Sequence, residues 1–366
     1  MSQEKAERAD KATVLDSAFL DPTRGRSDEE DANDAVAGNV DLDLDDDLDA
    51  PVLIVLNHNL PRLTAALWSR ARLVLVADGG ANRLLEAAKG WEKEEEELGK
   101  RGKQRRRQQQ RSDDDDDDDD DDGRGKDKGK NQPFLPDAIV GDLDSISEEA
   151  RAYYNDRGVR VVDLSRDQDS TDLQKCLAFA AAEVEKEASS SSSLSPPPVF
   201  VAGALGGRLD HSLSAISTLY AIDAARSRGR GGGGEERNEG SGFAAAAARS
   251  LGEIVLCGDG SLARLVPSSS SSSSSSSVVK IIPCAAVEGP GCGLVALGLP
   301  AKEVETSGLK WNLEKRGEEE KNSEPPPPPL EMGGVQSTSN SIEGEEVTVR
   351  ASAPLLWTTT LREEWS

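Results

Sequence analysis

Apolar runs of strand length alternate with segments of helical period through most of the chain. VLIVLN (52–57) is apolar throughout and ends in a polar turn, Leu63 to Ser69 has helical spacing, and LVLVADGGANRLLEAA (73–88) is a second run broken by Gly79-Gly80 before a helix. The alternation continues with DAIVGDLDS (137–145), a helix over Glu148 to Arg157, VRVVDLS (159–165), a helix from Thr171 to Lys186, VFVAGALGG (199–207), a helix from His211 to Arg226, and EIVLCGDG (253–260). Strands that are apolar on both faces and separated by helices predict a parallel sheet covered on each side, an α/β architecture.

The texture changes after Ser277. VVKIIPC, GLVALGLP, KEVETSGLKWNL, STSNSIEGEEVTVRAS and PLLWTTTL are short strand-like pieces split by Gly, Pro and Asn, with no helical period between them. They predict a small antiparallel β domain. The expected partition is an acidic tail over 1–50, an α/β domain over 51–266, a Ser-rich linker at 267–277 and the β domain over 278–366. Biased segments interrupt this plan at 92–130 (charged), 189–198 (Ser and Pro), 226–242 (Gly-rich) and 315–334 (containing the Pro325–Pro329 run). They read as solvated loop expansions. The tail, which ends in DLDLDDDLDA, carries too little apolar surface to offset the entropy of ordering and is expected to be disordered.

Composition adjusts this picture in two places. The chain has 366 residues, room for two domains, and a formal charge of -25. The Asp113–Asp122 run supplies ten of those negative charges. An acidic surface repels nucleic-acid phosphates and anionic lipid, so neither is expected as a partner. Cys176, Cys257, Cys284 and Cys292 are scattered without a CxxC pair and are expected to be reduced. There is no run of eighteen apolar residues, and Met1 to Leu20 mixes acids and bases without a signal-peptide core, so a cytoplasmic protein is expected.

Ligands of an open parallel sheet bind at the carboxyl ends of its strands, so the residues that end each run are the candidates for chemistry. They are Asp78-Gly79-Gly80, Gly141-Asp142-Leu143-Asp144-Ser145, the stretch Asp167 to Asp172, and Gly206-Gly207-Arg208-Leu209-Asp210. Asp142 and Asp144 flank Leu143 and would point the same way if extended. Converging carboxylates repel one another unless a cation lies among them, and Mg2+ bridges carboxylates to phosphates. The Gly-Gly steps let backbone approach a phosphate, and Arg208 can contact a phosphoryl oxygen. Taken singly, Asp78-Gly79-Gly80 is a capped turn, Asp172 a helix cap, and Arg208 with Asp210 a local ion pair. Taken together, they predict phosphoryl transfer. A DxD after a strand also occurs in haloacid-dehalogenase phosphatases and metal-dependent glycosyltransferases, and an acidic cation-binding protein is the non-enzymatic alternative.

LNHNLP (56–61), ADGGANRL (77–84), GDLDSI (141–146), DQDSTDLQKCL (167–177), GGRLDHSLS (206–214), TSGLKWNL (306–313), STSN (337–340) and PLLWT (354–358) resemble, in order and type, the motifs of eukaryotic thiamine pyrophosphokinases. The resemblance implies a Rossmann-like N-terminal domain holding ATP and Mg2+, a C-terminal β-sandwich helping to hold thiamine, and a homodimer with sites at the subunit interface. It implies Asp78, Asp142, Asp144, Asp172 and Asp210 as catalytic acids, with Asp142, Asp144 and Asp172 as Mg2+ ligands. ATP contacts would come from Asn57, Gly79, Gly80, Gln168, Thr171, Gly206, Gly207 and Arg208. Thiamine contacts would come from Trp311, stacked on the ligand, and from Ser337, Ser339 and Asn340. Thiamine is a flat cation, so an aromatic face and a carboxylate-rich crevice suit it. Trp311 lies between Lys310 and Asn312, unlike a core residue, whereas Trp357 follows Leu355-Leu356 and reads as core.

Overall fold

The computed structural model describes residues 12–24, 50–91, 134–188, 195–230, 242–269, 278–314 and 328–366. Ten strands form one sheet that runs through both halves of the chain. Its parallel part has the order β7 (Ile254–Gly258), β6 (Val199–Ala202), β2 (Val52–Val55), β3 (Leu73–Ala77), β4 (Ala138–Gly141), β5 (Arg160–Asp163). Side chains alternate across it, and both faces are covered. Val52 and Ile54 pack towards α4 (Asp172–Ala188), α5 (Leu209–Arg230) and α6 (Gly242–Ser250). Leu53 and Val55 pack towards α1 (Leu63–Trp68), a helix over 80–91 that we call α2, and α3 (Glu148–Asn155). Burial on both faces is why these strands, apart from the edge strand β5, read as unbroken apolar runs.

Antiparallel strands extend the same sheet. β8 (Ser261–Val266) turns back on β7, followed outward by β14 (Leu355–Leu361), β10 (Glu288–Val295) and, at the edge, β12 (Ser337–Ser341). Against this half lies a second sheet of four strands, β1 (Thr13–Asp16), β9 (Val279–Ile282), β13 (Val347–Ala351) and β11 (Val304–Ser307). The core between the two layers contains Val279, Ile281, Leu294, Val349, Leu355 and Trp357, so Trp357 is a core residue as its sequence context predicts. The fold is therefore an α/β Rossmann-like half followed by an antiparallel β-sandwich, with the sheet continuous across the expected boundary.

Several segment expectations need correction. The tail is not featureless over 12–24. Thr13–Asp16 pairs in parallel with Val279–Ile282, a 3-10 turn follows at Ser17–Leu20, and Leu15, Phe19 and Leu20 are buried. TVLDSAFL has enough apolar surface to order once a sandwich edge and a groove are available to it. The remainder of the tail, 1–11 and 25–49, lies outside the described residues, as do 92–133, 189–194, 231–241, 270–277 and 315–327. Within the Gly-rich insertion, 226–230 continues α5 and Gly242 opens α6, whose Ala-rich sequence has high intrinsic helix propensity. In the last insertion, Leu330 is buried and bridges Ala301 and Val335.

If the amino-terminal segment is part of the core, Leu20→Ala will lower unfolding free energy by about 2–5 kcal/mol. The measurement is the urea midpoint at unchanged m value, and an unmoved midpoint would return residues 12–24 to a dangling tail.

Candidate active site

All six parallel strands end at one edge, and the site is built there from the turns that follow them. Asp78 ends β3 with φ 35, a left-handed conformation that turns its carboxylate under the β4–α3 loop. That carboxylate accepts the Ser145 N–H at 3.0 Å and the Ile146 N–H at 3.1 Å. One helical turn later Asn82 grips the same loop, donating from Nδ2 to Ser145 O and accepting the Ser147 N–H, both at 2.9 Å. Asp78 and Asn82 thus set the position of the GDLDSIS segment, and Asn82 is a contributor the sequence reading did not single out.

The loop delivers Asp142 to Asp78, and the first turn of α4 delivers Asp172. One carboxylate oxygen from each of the three lies within 4.8 Å of the others. A buried cation stands among them. Lys175, only 3% exposed, places Nζ 3.4 Å from Asp142 Oδ2 and 3.7 Å from Asp172 Oδ1. Its position three residues after Asp172 puts it on the same helix face, which is how a lysine in an otherwise apolar stretch reaches the acids. The KC pair gave no separate signal in the sequence. Burial, reinforced by the Asp142 charge, raises the Asp172 pKa, with Lys175 opposing. Burial likewise pushes Asp78 up to about 6, against the Ser145 amide, which lowers it.

Asp144 departs from the expected geometry. Leu143 has φ 65, so the DLD segment is bent rather than extended, and Asp144 is outside the group of three. Its carboxylate accepts the Ser145 hydroxyl at 2.8 Å, the main cause of its lowered pKa. The acids brought together are Asp78, Asp142 and Asp172, with Asp144 beside Asp78. Asp210 is likewise apart, held in an exposed ion pair with Arg208 at 2.6 Å, the local contact that the sequence also allowed.

Among the other predicted residues, several are engaged within the fold. Thr171 caps α4 reciprocally with Gln174: Thr171 N–H donates to Gln174 Oε1 at 3.0 Å, and the Gln174 N–H to Thr171 Oγ1 at 3.4 Å. Gln168 donates from Nε2 to Ser165 O at 2.7 Å. A Cβ on Gly79 would meet Asn57 Nδ2 at 2.4 Å, and one on Gly80 would meet Val55 O at 2.7 Å. These two glycines let the β2 and β3 ends pack closely. Gly206 and Gly207, with φ 96 and 60, form the turn from β6 into α5.

The far edge of the sheet carries the second group. Trp311 is 56% exposed, with the Lys310 ammonium 4.7 Å from its ring centroid. Asn340 on β12 is buried and clamps the Trp311 backbone, accepting its N–H at 3.2 Å and donating to its carbonyl at 2.8 Å. The Asn340 oxygen also accepts the Ser341 N–H at 2.8 Å, so this amide, expected as a thiamine contact, supports the tryptophan backbone. Ser337 is half-buried on the same strand, and Ser339 is exposed with φ 58.

Two family profiles match the chain: "Thiamin pyrophosphokinase, catalytic domain" over residues 64–228 and "Thiamin pyrophosphokinase, vitamin B1 binding domain" over 279–356. The chain is 30% identical over 311 residues to thiamine pyrophosphokinase 1 of Arabidopsis thaliana, covering 85% of this chain and 86% of that protein. It is 32% identical over 318 residues to thiamine pyrophosphokinase 1 of Oryza sativa subsp. japonica, covering 87% and 90%. Two solved structures share the fold at 17% identity. Thiamin pyrophosphokinase from Candida albicans has a TM-score of 0.57 over 96% of this chain and 93% of that one, and the yeast enzyme 0.58 over 98% and 94%.

The Asp78 shift makes a pH prediction. A carboxyl whose pKa is higher folded than unfolded contributes stability that is fully present below its ordinary value of 3.8 and is lost as pH rises through about 6. In EDTA, the melting temperature of the wild type relative to Asp78→Asn will therefore fall between about pH 4 and pH 7. Parallel curves for the two proteins would rule out the raised pKa.

Proposed function

The chain belongs to the thiamine pyrophosphokinase family, and from that premise we propose how its own residues divide the work. It is an enzyme that transfers the pyrophosphoryl group of ATP to the hydroxyl of thiamine, giving thiamine diphosphate and AMP. The new bond joins the thiamine oxygen to the β-phosphorus, and the bond to the α-phosphate oxygen breaks. The phosphatase, glycosyltransferase and simple cation-binding alternatives are set aside by this membership.

The observation that carries the site assignment is the convergence of Asp78, Asp142 and Asp172 at the strand ends. Three ionised carboxylates and the Lys175 ammonium leave two negative charges, which one divalent cation would cancel, and the donors are all oxygen, as Mg2+ prefers. In this reading Asp142 and Asp172 hold Mg2+ with Asp78 or the neighbouring Asp144 completing the set. A bound Mg2+ supplies charge neutralisation to the phosphates. Asp78 also fixes the loop that carries Asp142 and Asp144. Arg208, at the start of α5, is exposed and charged, placed to trade its partner Asp210 for a phosphoryl oxygen. Asn57, Gln168, Thr171 and the glycine turns shape the ATP side of the crevice, with Thr171 and Gln168 acting through the loop they hold.

Thiamine is assigned to the Trp311 face, where Lys310 already shows that a cation can lie against the ring. Ser337 and Ser339 line the adjoining edge strand, and Asn340 is a positioning residue for Trp311. Sheet order supports a homodimer. β12 and β4 are separated by eight strand spacings, about 38 Å along the sheet, too far for one thiamine and one triphosphate to span. A partner chain that lays its β12 edge over the acidic crevice resolves this, with each site drawing acids from one subunit and Trp311 from the other. No helix among the described residues is long and apolar enough to cross a membrane, and four buried thiols suit a reducing compartment, which favours the cytosol.

Purified protein with ATP, Mg2+ and thiamine should give equimolar AMP and thiamine diphosphate by chromatography, lost in EDTA. Asp142→Asn should reduce kcat by at least about 100-fold without changing the fold, and near-normal turnover would remove Asp142 from the metal site. Exchange between inactive Asp142→Asn and Trp311→Ala dimers should restore activity, because each mixed dimer regains one intact site. Mixtures no more active than their parents would place both groups in a single subunit's site.

A further inference from the structure

The strand order reverses between β2 and β6, and in open α/β sheets the crevice beyond such a switch point is where ligands bind. Three turns meet there: Asn57-His58 after β2, Gly203 to Gly207 after β6, and Asp259 after β7. His58 Nε2 and Asp259 Oδ1 are 3.0 Å apart, tying the first turn to the third beneath the second. Asp259 and Gly260, with φ 42 and 72, are the two-residue hairpin turn from β7 to β8, whose geometry fixes where the Asp259 carboxylate starts.

The glycine turn rests on this pair. A Cβ on Gly206 would meet Asp259 Oδ2 at 1.9 Å and His58 Nε2 at 2.7 Å, and one on Gly207 would meet His58 Cε1 at 2.9 Å. Ser212, in the first turn of α5, grips from the other side. Its Oγ accepts the Gly206 N–H at 3.0 Å and donates to the Gly206 carbonyl at 3.1 Å. A turn of two left-handed glycines has no side chains to define its shape, so its order comes from these neighbours. Neither His58 nor Asp259 belongs to the Asp78, Asp142 and Asp172 group.

We propose that His58 and Asp259 form a positioning pair for ATP, a floor that holds the Gly206-Gly207 turn at the height where its backbone meets the triphosphate. This rests on the nucleotide assignment above and adds the device that makes the turn rigid. His58 is the linking element, because its ring lies under Gly207 while its Nε2 reaches Asp259. The pair underlies the Gly206-Gly207 turn on the ATP side of the crevice and touches neither Trp311 nor the β12 residues assigned to thiamine.

The test is calorimetric binding of α,β-methylene-ATP with Mg2+ to the full chain without thiamine. Failure of the wild type to bind would overturn the nucleotide reading itself. Given wild-type binding, His58→Ala and Asp259→Ala should each weaken it about tenfold, and the double variant should be no weaker than either single one if the two act as a unit. His58→Gln, which keeps a donor towards Asp259, should recover most of the affinity. The KM for thiamine at saturating ATP should stay within about twofold of wild type. Unchanged nucleotide affinity in both single variants, or equal losses for ATP and thiamine, would overturn the proposal. Should either variant fail to fold, Ser212→Ala frees the turn from its other side, and undiminished nucleotide affinity there would overturn it as well.

Discussion

Three carboxylates share one crevice in this protein because a buried ammonium stands among them. Asp78 and Asp142 follow β3 and β4 and Asp172 opens α4, and mutual repulsion in a partly desolvated site would drive them apart or protonate them. Lys175 opposes this by facing Asp142 and Asp172 from within α4. Compensation is partial: burial first, and the neighbouring carboxylates after it, still raise the pKa values of Asp78 and Asp172. The proposed Mg2+ role rests on this remaining negative charge and on oxygen donors held in fixed positions. The acids cannot drift towards other partners, because Asp78 is tied to two backbone amides and Asp172 sits in the first turn of a capped helix.

The scaffold that holds this crevice is fastened to the thiamine-binding half by charge as well as by hydrogen-bonded strands. Arg264 on β8 is almost fully buried, with Glu288 at the start of β10 at 2.7 and 2.8 Å and Glu253 just before β7 at 3.0 Å. Glu288 also accepts the Thr359 hydroxyl on β14 at 2.7 Å and the Cys284 N–H at 3.1 Å. Four elements around the junction of the parallel and antiparallel strands are thus joined by one satisfied polar network. Removing either partner would strand a charge in the core, so the network fixes register more than it adds net stability. The amino-terminal segment reinforces the same junction, because Leu15 packs into the sandwich core while Phe19 and Leu20 pack beside Leu53 and Val55.

The two edges of the long sheet divide the labour. The acids lie near β3 and β4, the exposed Trp311 lies by β12, and the His58–Asp259 pair stands at the switch point between β2 and β6. Trp311 can stay exposed because Asn340 holds its backbone in place, so the ring is presented without having to be packed into the core.

Much of this was written locally in the chain. Apolar runs buried on both faces named the parallel strands, the helical spacing between them named the α/β class, and the acids at strand ends named the chemistry, because strand direction alone sends those residues to one edge. Local pattern could not say which acids would meet. Leu143 turns left-handed and sends Asp144 away from the position an extended DxD implies, while Asp78 takes its place through hydrogen bonds to residues 67 and 68 positions later. Nor could it identify Lys175, which looks like one more helix residue until Asp142 arrives from another strand, or His58 and Asp259, which are 201 residues apart. The acidic composition of the tail concealed β1, whose few apolar residues are worth ordering only against a sandwich edge formed by distant chain. Sequence determined the elements and the kinds of group at their ends, since both depend on neighbours along the chain. Tertiary structure decided the pairings, since the energy of a charge or a strained turn depends on what lies across space from it.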